Sequence, residues 1–408
     1  MKAALALSLV VALGGWSAQS GDVVALVGGA VYTSPQAARM DDAAIVLRDG
    51  RIAAIGRRAD VTIPSGARVI DCTGRTIVAG FWNSHVHFME DAWNDAERKP
   101  AAALEAHMQA MLTRWGFTTV FDLGSAEQNT IALTQRVQRG EVKGPKIYRA
   151  GPIYPEHGVP VYVPEPLASL MKPMQAATSA DATRLATQYL ANGADGIKLF
   201  AGSIVGRGEV RVMPVDVARA AVQAAHAAGK PVFAHPSNHA GADSALAAGV
   251  NVLTHPISMD DDGFTSRELE QMKAGHVALI PTLTLWEVEA EKEGATPEQA
   301  RAFVQVGIRG VMQYVNAGGT ILFGTDVGYT PHYDTAEEFV LMERAGLTWR
   351  AMLASLTTAP VAFFKADGGE LAPGKPADLV VLAGDPSADA RNFARVTYTI
   401  RGGRVIYP

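Results

Sequence analysis

His85 and His87 stand one residue apart at the end of an apolar run, Arg75-Thr-Ile-Val-Ala-Gly-Phe-Trp82. Such a run reads as a buried strand, and side chains two apart on a strand project to the same side. Two neutral imidazoles placed this way can share a borderline divalent ion such as zinc. Two partly exposed histidines at a strand end would give the same motif, so the pair has to be weighed with the rest of the chain. Four further residues fall at comparable places. Lys198 lies inside Gly196-Ile-Lys-Leu-Phe200, His235 ends Pro231–His235, His255 ends Val250–His255, and Asp326 ends Ile321-Leu-Phe-Gly-Thr-Asp326. Of the ten histidines, four lie at predicted strand ends, more than even scatter along the chain would place there. A lysine in an apolar strand loses hydration, which lowers its pKa and leaves a neutral, nucleophilic amine. Reaction with carbon dioxide would make it a carbamate able to bridge two cations. A salt bridge to Asp326 or Asp195 is the alternative.

The elements that must position these residues alternate. Strand-like runs fall at Thr118–Leu123, Lys146–Ile153, Gly196–Phe200, Pro231–His235, Val250–His255, Val277–Thr282 and Thr320–Gly324, eight with the strand ending at His85. Helical stretches separate most of them, among them Ala101–Trp115, Ala180–Asn192, Pro214–Ala228, Ala240–Ala248 and Pro297–Ala317, several followed by a C-capping glycine. Eight β–α repeats with near-continuous apolar strands predict an α/β fold, a parallel (β/α)8 TIM barrel over residues 79–368. A doubly wound open sheet is the other arrangement, but no glycine-rich dinucleotide fingerprint follows any strand. In barrels, chemistry sits at the C-terminal ends of the strands, where all six residues fall. Both ends of the chain carry short alternating strands, with Asp49-Gly50 and Gly402-Gly403 as hairpin turns. Residues 22–78 and 369–408 are therefore expected to pair into one composite β-sandwich.

Composition excludes several classes. A hydrophobic share of 48%, a charged share of 19% and a net charge of −5 describe a well-buried globular protein without a basic footprint for nucleic acid. Lys2, the apolar stretch Ala3–Gly14 and Ala18-Gln-Ser20 resemble a cleaved signal peptide over residues 1–20, which predicts a secreted or periplasmic protein. The apolar stretch is shorter than the roughly 20 residues of a membrane span, so no stable span is expected. The single cysteine, Cys72, cannot form an intrachain disulfide and reads as a small buried hydrophobe.

HxH after strand one, a lysine on strand four, histidines ending strands five and six and an aspartate ending strand eight resemble the amidohydrolase superfamily. The flanks Ile77-Val-Ala-Gly-Phe-Trp-Asn-Ser-His-Val-His87, Gly324-Thr-Asp326 and Gly369-Glu-Leu-Ala-Pro-Gly-Lys-Pro-Ala-Asp-Leu-Val-Val-Leu382 are similar to its imidazolonepropionase- and prolidase-related branch. The resemblance implies His85, His87 and Asp326 on one metal ion, His235 and His255 on a second, and carbamylated Lys198 between them. Imidazolonepropionases typically lack that lysine and hold one metal, so Lys198 points to the two-metal, dipeptidase-like members. Two divalent ions about 3.5–4 Å apart can share a hydroxide of lowered pKa that attacks a carbonyl, with Asp326 moving the proton to the leaving amine. Zinc is the default, while manganese, cobalt or iron suit the same donors. Substrate contacts are sought in the loops: Tyr154 and His157 at the start of Tyr154–Pro173, Arg207 and Arg211 as a clamp for a carboxylate end, and the wall Gly328–Asp334. A self-packed lid and solvated arginines are the plain alternatives. The expected activity is hydrolysis of an amide or dipeptide C–N bond. A hydrolase of cyclic amides, imides or lactones with one metal and a non-catalytic metal-containing binding protein are the other readings. Expected partners are a small molecule or dipeptide and, through an exposed barrel flank, a second copy of the chain.

Overall fold

The computed structural model describes residues 23–408 except Tyr162, Pro164, Pro166, Asp261 and Glu293, so the expected signal segment 1–20 lies outside the described residues. Both chain ends build one eight-stranded sheet. Arg404–Tyr407, Val396–Arg401, Leu379–Leu382, Thr76–Ala79, Val24–Val31, Met40–Arg48 and Arg51–Arg57 follow one another across it, and Arg68–Asp71 pairs with Val24–Val31. Asp49 and Gly50 both have positive φ (50° and 74°), the backbone that a two-residue hairpin needs to match strand twist. Two separate strands expected at Val23–Gly28 and Ala30–Tyr32 are one, Val24–Val31, with a register shift at Gly29. That irregularity lets the first half pair with Arg68–Asp71 and the end pair with Thr76 and Ile77. The sheet folds over its own apolar interior, in which Leu26, Ile45, Cys72, Ile77, Leu379 and Ile400 meet.

Thr76–Ala79 is the seam. It pairs antiparallel with Leu379–Leu382 and runs on through Gly80 into the first barrel strand, Phe81–Val86. Six more parallel strands follow: Phe117–Asp122, Lys146–Pro155, Gly196–Phe200, Val232–His235, Val252–Thr254 and Ala278–Ile280. Helices cover them. Thr178 with Asp181 and Thr296 with Gln299 close capping boxes on Ser179–Ala191 and Pro297–Asn316, satisfying free N–H groups at the helix starts. Among the described residues no helix is long and apolar enough to cross a membrane.

The eighth strand corrects the expectation. Thr320–Gly324 forms no regular ladder, only an isolated bridge at Ile321, and a further isolated bridge joins Val327 beyond it to Val86. The barrel nevertheless closes: Leu279 N donates to Thr320 O (2.9 Å), and Ser84 N to Phe323 O (2.7 Å). The reason is steric and chemical. Gly324 lies so close to strand one that a Cβ there would sit 2.9 Å from the Cβ of His85. The Asn83 side chain replaces ladder bonds, donating to Thr325 Oγ1 at 2.8 Å and accepting from His85 N at 3.2 Å.

Candidate metal centre

The six polar strand-end residues arrive from five elements at one mouth of the barrel. His85 Nε2 and His87 Nε2 face each other at 3.3 Å, as the alternation of a strand requires. Asp326 reaches in from the closing segment, with Oδ1 3.2 Å from His85 Nε2 and 3.0 Å from His87 Nε2. Its Oδ2 lies 3.7 Å from His255 Nε2. The His255 ring stands 4.9 Å from that of His85 and 4.8 Å from that of His235. Lys198 is 1% exposed. It donates to Thr254 Oγ1 at 2.6 Å and makes no ion pair among the described residues. Asp195, one partner considered for it, pairs instead with Lys230 at 3.5 Å. His255 (φ 75°) and Asp326 (φ 60°) both adopt left-handed backbone, a conformation that L residues hold only where the surroundings over-determine it.

The electrostatics prepare these groups as electron-pair donors. Burial pushes His85 and His255 well below the ordinary imidazole range and His235 down to about 3, so all three are neutral near pH 7. Burial alone would raise Asp326, but His85 and His87 beside it hold the carboxyl well below its usual value. Burial likewise lowers Lys198 to about 7, against the opposing pull of Asp326. Neutral imidazoles and a carboxylate thus converge with few protons to share. Asp326 Oδ1 is buried and, despite its close ring nitrogens, has no hydrogen bond. A buried charge left in this way is costly unless it is paired or coordinates a metal. His85, His255 and Asp326 offer three donor atoms within 4.8 Å of one another. This donor set fits a divalent ion of the zinc type.

Three supporting residues escaped the sequence reading. Thr282 donates its hydroxyl hydrogen to Pro281 O (2.8 Å), so its Oγ1 must accept from His255 Nδ1–H. That fixes the tautomer and leaves His255 Nε2 bare toward Asp326. Asp122 ends the second strand, buried, with Oδ1 3.9 Å from His87 Nδ1 and bonded by Ser125 Oγ at 2.6 Å. Asn83 ties strand one to the closing segment, as described above. Thr282 and Asp122 lie at predicted strand ends, so the criterion that singled out the histidines would have reached them too.

The loop candidates separate. Tyr154 is buried and stacks on Phe200 at 4.1 Å, and Phe200 in turn stacks on His235 at 5.6 Å. His157 is exposed, with φ 58° and its amide bonded to Gln175 Oε1 at 2.7 Å. Arg207 and Arg211 sit on a hairpin, Gly202–Gly206 with Glu209–Val212, both solvent-exposed. Within the wall Gly328–Asp334, Tyr329 donates to Glu289 Oε1 at 2.9 Å.

Residues 76–406 match the sequence profile of the amidohydrolase family. The chain belongs to that family. It is 23% identical over 397 residues to an imidazolonepropionase of Porphyromonas gingivalis, a likeness covering 90% of this chain and 89% of that protein. A prolidase complexed with N-methylphosphonate-L-proline superposes with a TM-score of 0.77 at 25% identity, covering 94% of this chain and 99% of the other. A Xaa-Pro dipeptidase with bound methionine has a TM-score of 0.80 at 23% identity, over 94% and 99% of the two chains, a likeness of fold. The chain is a hydrolase acting on carbon–nitrogen bonds, built as a TIM barrel with a β-sandwich from its two ends. Its family is generally metal-dependent, and the His/Asp cluster is a site that could hold a metal.

Proposed function

We propose that this amidohydrolase is an exported, two-metal enzyme that cuts the C–N bond of a dipeptide, with proline or another cyclic residue on the leaving side. The observation that carries the reading is the meeting of four histidines, one aspartate and one buried lysine at the barrel mouth, with Asp326 Oδ1 left without a hydrogen bond. His85, His87 and Asp326 would hold one ion, His235 and His255 the other, and Lys198, as a carbamate, would lie between them. Zinc suits this nitrogen-rich set best. When bound, the ions supply Lewis acidity toward the carbonyl oxygen and lower the pKa of nearby water.

The chain's own groups do the remaining work. A Lys198 amine with a pKa near 7 is substantially neutral at physiological pH. It can bond to the carbon of carbon dioxide and release one proton, giving the carbamate. Asp326, ionised and free at Oδ1, takes a proton from water as the water oxygen bonds to the amide carbon. It returns that proton to the nitrogen as the C–N bond breaks, so amide and water become acid and amine. Thr282 keeps His255 in the tautomer whose Nε2 carries the lone pair. Tyr154 and Phe200 wall the site beside His235, while Arg207 and Arg211 remain candidates for the substrate's carboxylate end. The prolidase neighbour supports the dipeptide reading.

The test begins with elemental analysis of the mature protein and of Lys198→Ala. Two ions per chain, falling to one or fewer in the variant, support the bridged pair. Xaa-Pro dipeptides assayed against cyclic amides, imides and lactones then decide the substrate. The likeness to an imidazolonepropionase over 90% of the chain favours a second reading, a cyclic amide hydrolase with one ion. One ion in both proteins, with turnover only of cyclic substrates, would establish it.

A further inference from the structure

The loop after His85 and His87 and the loop after Asp326 leave the barrel side by side. Up to residues 87 and 327 the backbone holds them, with Asp326 N donating to His85 O at 2.9 Å and His87 N to Val327 O at 2.8 Å. Gly328 then turns the chain away with φ +94°, pressed so close that a Cβ would lie 1.8 Å from His87 O. The ladder cannot continue past that point. Side chains make the next junction. The Tyr333 hydroxyl lies 2.8 and 2.7 Å from the two oxygens of Glu90, to which it donates. His107 Nε2 bonds the same carboxylate and lies 3.5 Å from the Tyr333 oxygen. His107 comes from the helix Ala101–Met111 and stands edge-on to the buried Trp93 at 4.5 Å, which fixes this end to the core.

Between the two junctions runs Asp326–Tyr333. Its first residue is the strained one, held at φ 60°. The Asp326 carbonyl accepts from Tyr329 N at 3.2 Å and Thr330 N at 3.0 Å, so a tight turn transmits the position of the far end to the near end. Left-handed backbone is a minority state for aspartate, kept where the surrounding chain holds it, and a shift of the segment would swing its carboxylate away from the histidines.

We infer that Glu90, His107 and Tyr333 form a latch that positions Asp326 for proton transfer by pinning the far end of the segment that carries it. The inference deepens the proposed function and rests on Asp326 being the proton carrier. The three are positioning residues, acting through the backbone. A second clip of the same kind offers a control: His239 Nδ1 is 2.9 Å from Glu268 Oε1 and its Nε2 2.9 Å from Asp262 Oδ1, joining the loops after strands five and six.

Tyr333→Phe removes one hydroxyl and nothing else. Two readouts test it on the metal-loaded enzyme. Amide hydrogen exchange across residues 326–333 should quicken by about tenfold or more in Tyr333→Phe and His107→Leu. His107→Gln, which keeps a donor, should recover part of the protection, and His239→Asn should leave this segment unchanged. On an acyl-proline substrate, kcat should fall by about tenfold with KM unchanged, because a small misplacement of a proton carrier is expensive. Hydrolysis of the p-nitrophenyl ester of the same acyl group should hold, since a phenolate leaves without a proton. Unchanged exchange overturns the latch, and so does a parallel loss on ester and amide. A wild-type enzyme that binds its ions yet turns over no amide sinks the proposed function instead, and the exchange experiment still decides whether the latch pins the segment.

Discussion

Replacing Lys198 with methionine should stabilise the protein when it is stripped of metal and destabilise it when metal is present. Burial lowers this amine from 10.5 to about 7, an interval of 3.5 pH units. At 1.36 kcal/mol per unit this amounts to about 5 kcal/mol against folding at acid pH. The sign follows from proton counting: between pH 7 and 10.5 the unfolded chain holds the lysine proton and the folded chain does not. Stability therefore rises with pH through that window, and the full penalty applies below it. Methionine fills a similar volume without charge. Loss of the 2.6 Å bond to Thr254 Oγ1 offsets the gain by about 1 kcal/mol. The expected net gain at pH 7 is about 3–4 kcal/mol. At ~2.1 cal/mol/K per residue, this is about 4–5 °C in Tm for a chain of this length. His85, His235 and His255 are held neutral by burial while their unfolded counterparts take up protons below about pH 7.5, so they add the same slope to both proteins there and drop out of the gap between them. Urea unfolding in chelator from pH 6 to 9.5 is the assay. The gap between variant and wild type should narrow by about 2 kcal/mol from pH 7 to 9. A gap independent of pH, or a less stable variant at pH 7, would refute the reasoning. With metal restored the order should reverse, because ions bound at a thousand times Kd stabilise the native state by about 4 kcal/mol.

Other outcomes follow from the same geometry. Asp326→Asn should lower turnover by about 10²–10⁴; turnover that survives at unchanged metal content would remove Asp326 from the proton path. Thr282→Val deletes the acceptor that holds His255 Nδ1 and should weaken metal affinity about 10–100-fold, as read by competition with a chromogenic chelator. Glu338 is fully buried and accepts from Leu283 N and Thr284 N, both at 2.8 Å, at the start of the helix Thr284–Lys292. Glu338→Leu strands both amides and should cost about 2–4 kcal/mol in urea unfolding. An export signal over residues 1–20 predicts a mature chain beginning at Gly21 in intact-mass measurement, and a retained Met1 would exclude the cleavage.

Much of the molecule was legible before any coordinate. Strand alternation and apolar runs announced a barrel, Asp49-Gly50 and Gly402-Gly403 announced hairpins, and the polar residues at strand ends announced a site, because each is a property of a few consecutive residues. Complete burial of Phe81–Val86 and Phe117–Asp122 was not legible there, because Asn83, Ser84, His85, Thr118, Thr119 and Asp122 are polar and are enclosed only by the closed barrel. What the tertiary structure decided lies between residues far apart in the chain. The ragged closure of the barrel depends on Gly324 meeting His85 and on Asn83 standing in for a ladder, 242 residues from Thr325. The tautomer of His255 depends on a hydroxyl 27 residues away, and the union of Glu90 with Tyr333 spans 243. The exposure of Arg207 and Arg211 follows from the hairpin that turns at Gly206-Arg207-Gly208 and lifts both side chains into solvent, a pairing between strands that only the structure shows. Left-handed backbone at His255 and Asp326 is the clearest case. Aspartate and histidine enter this backbone more readily than most residues, but nothing in the sequence says which of them will, and the packed strand ends select these two.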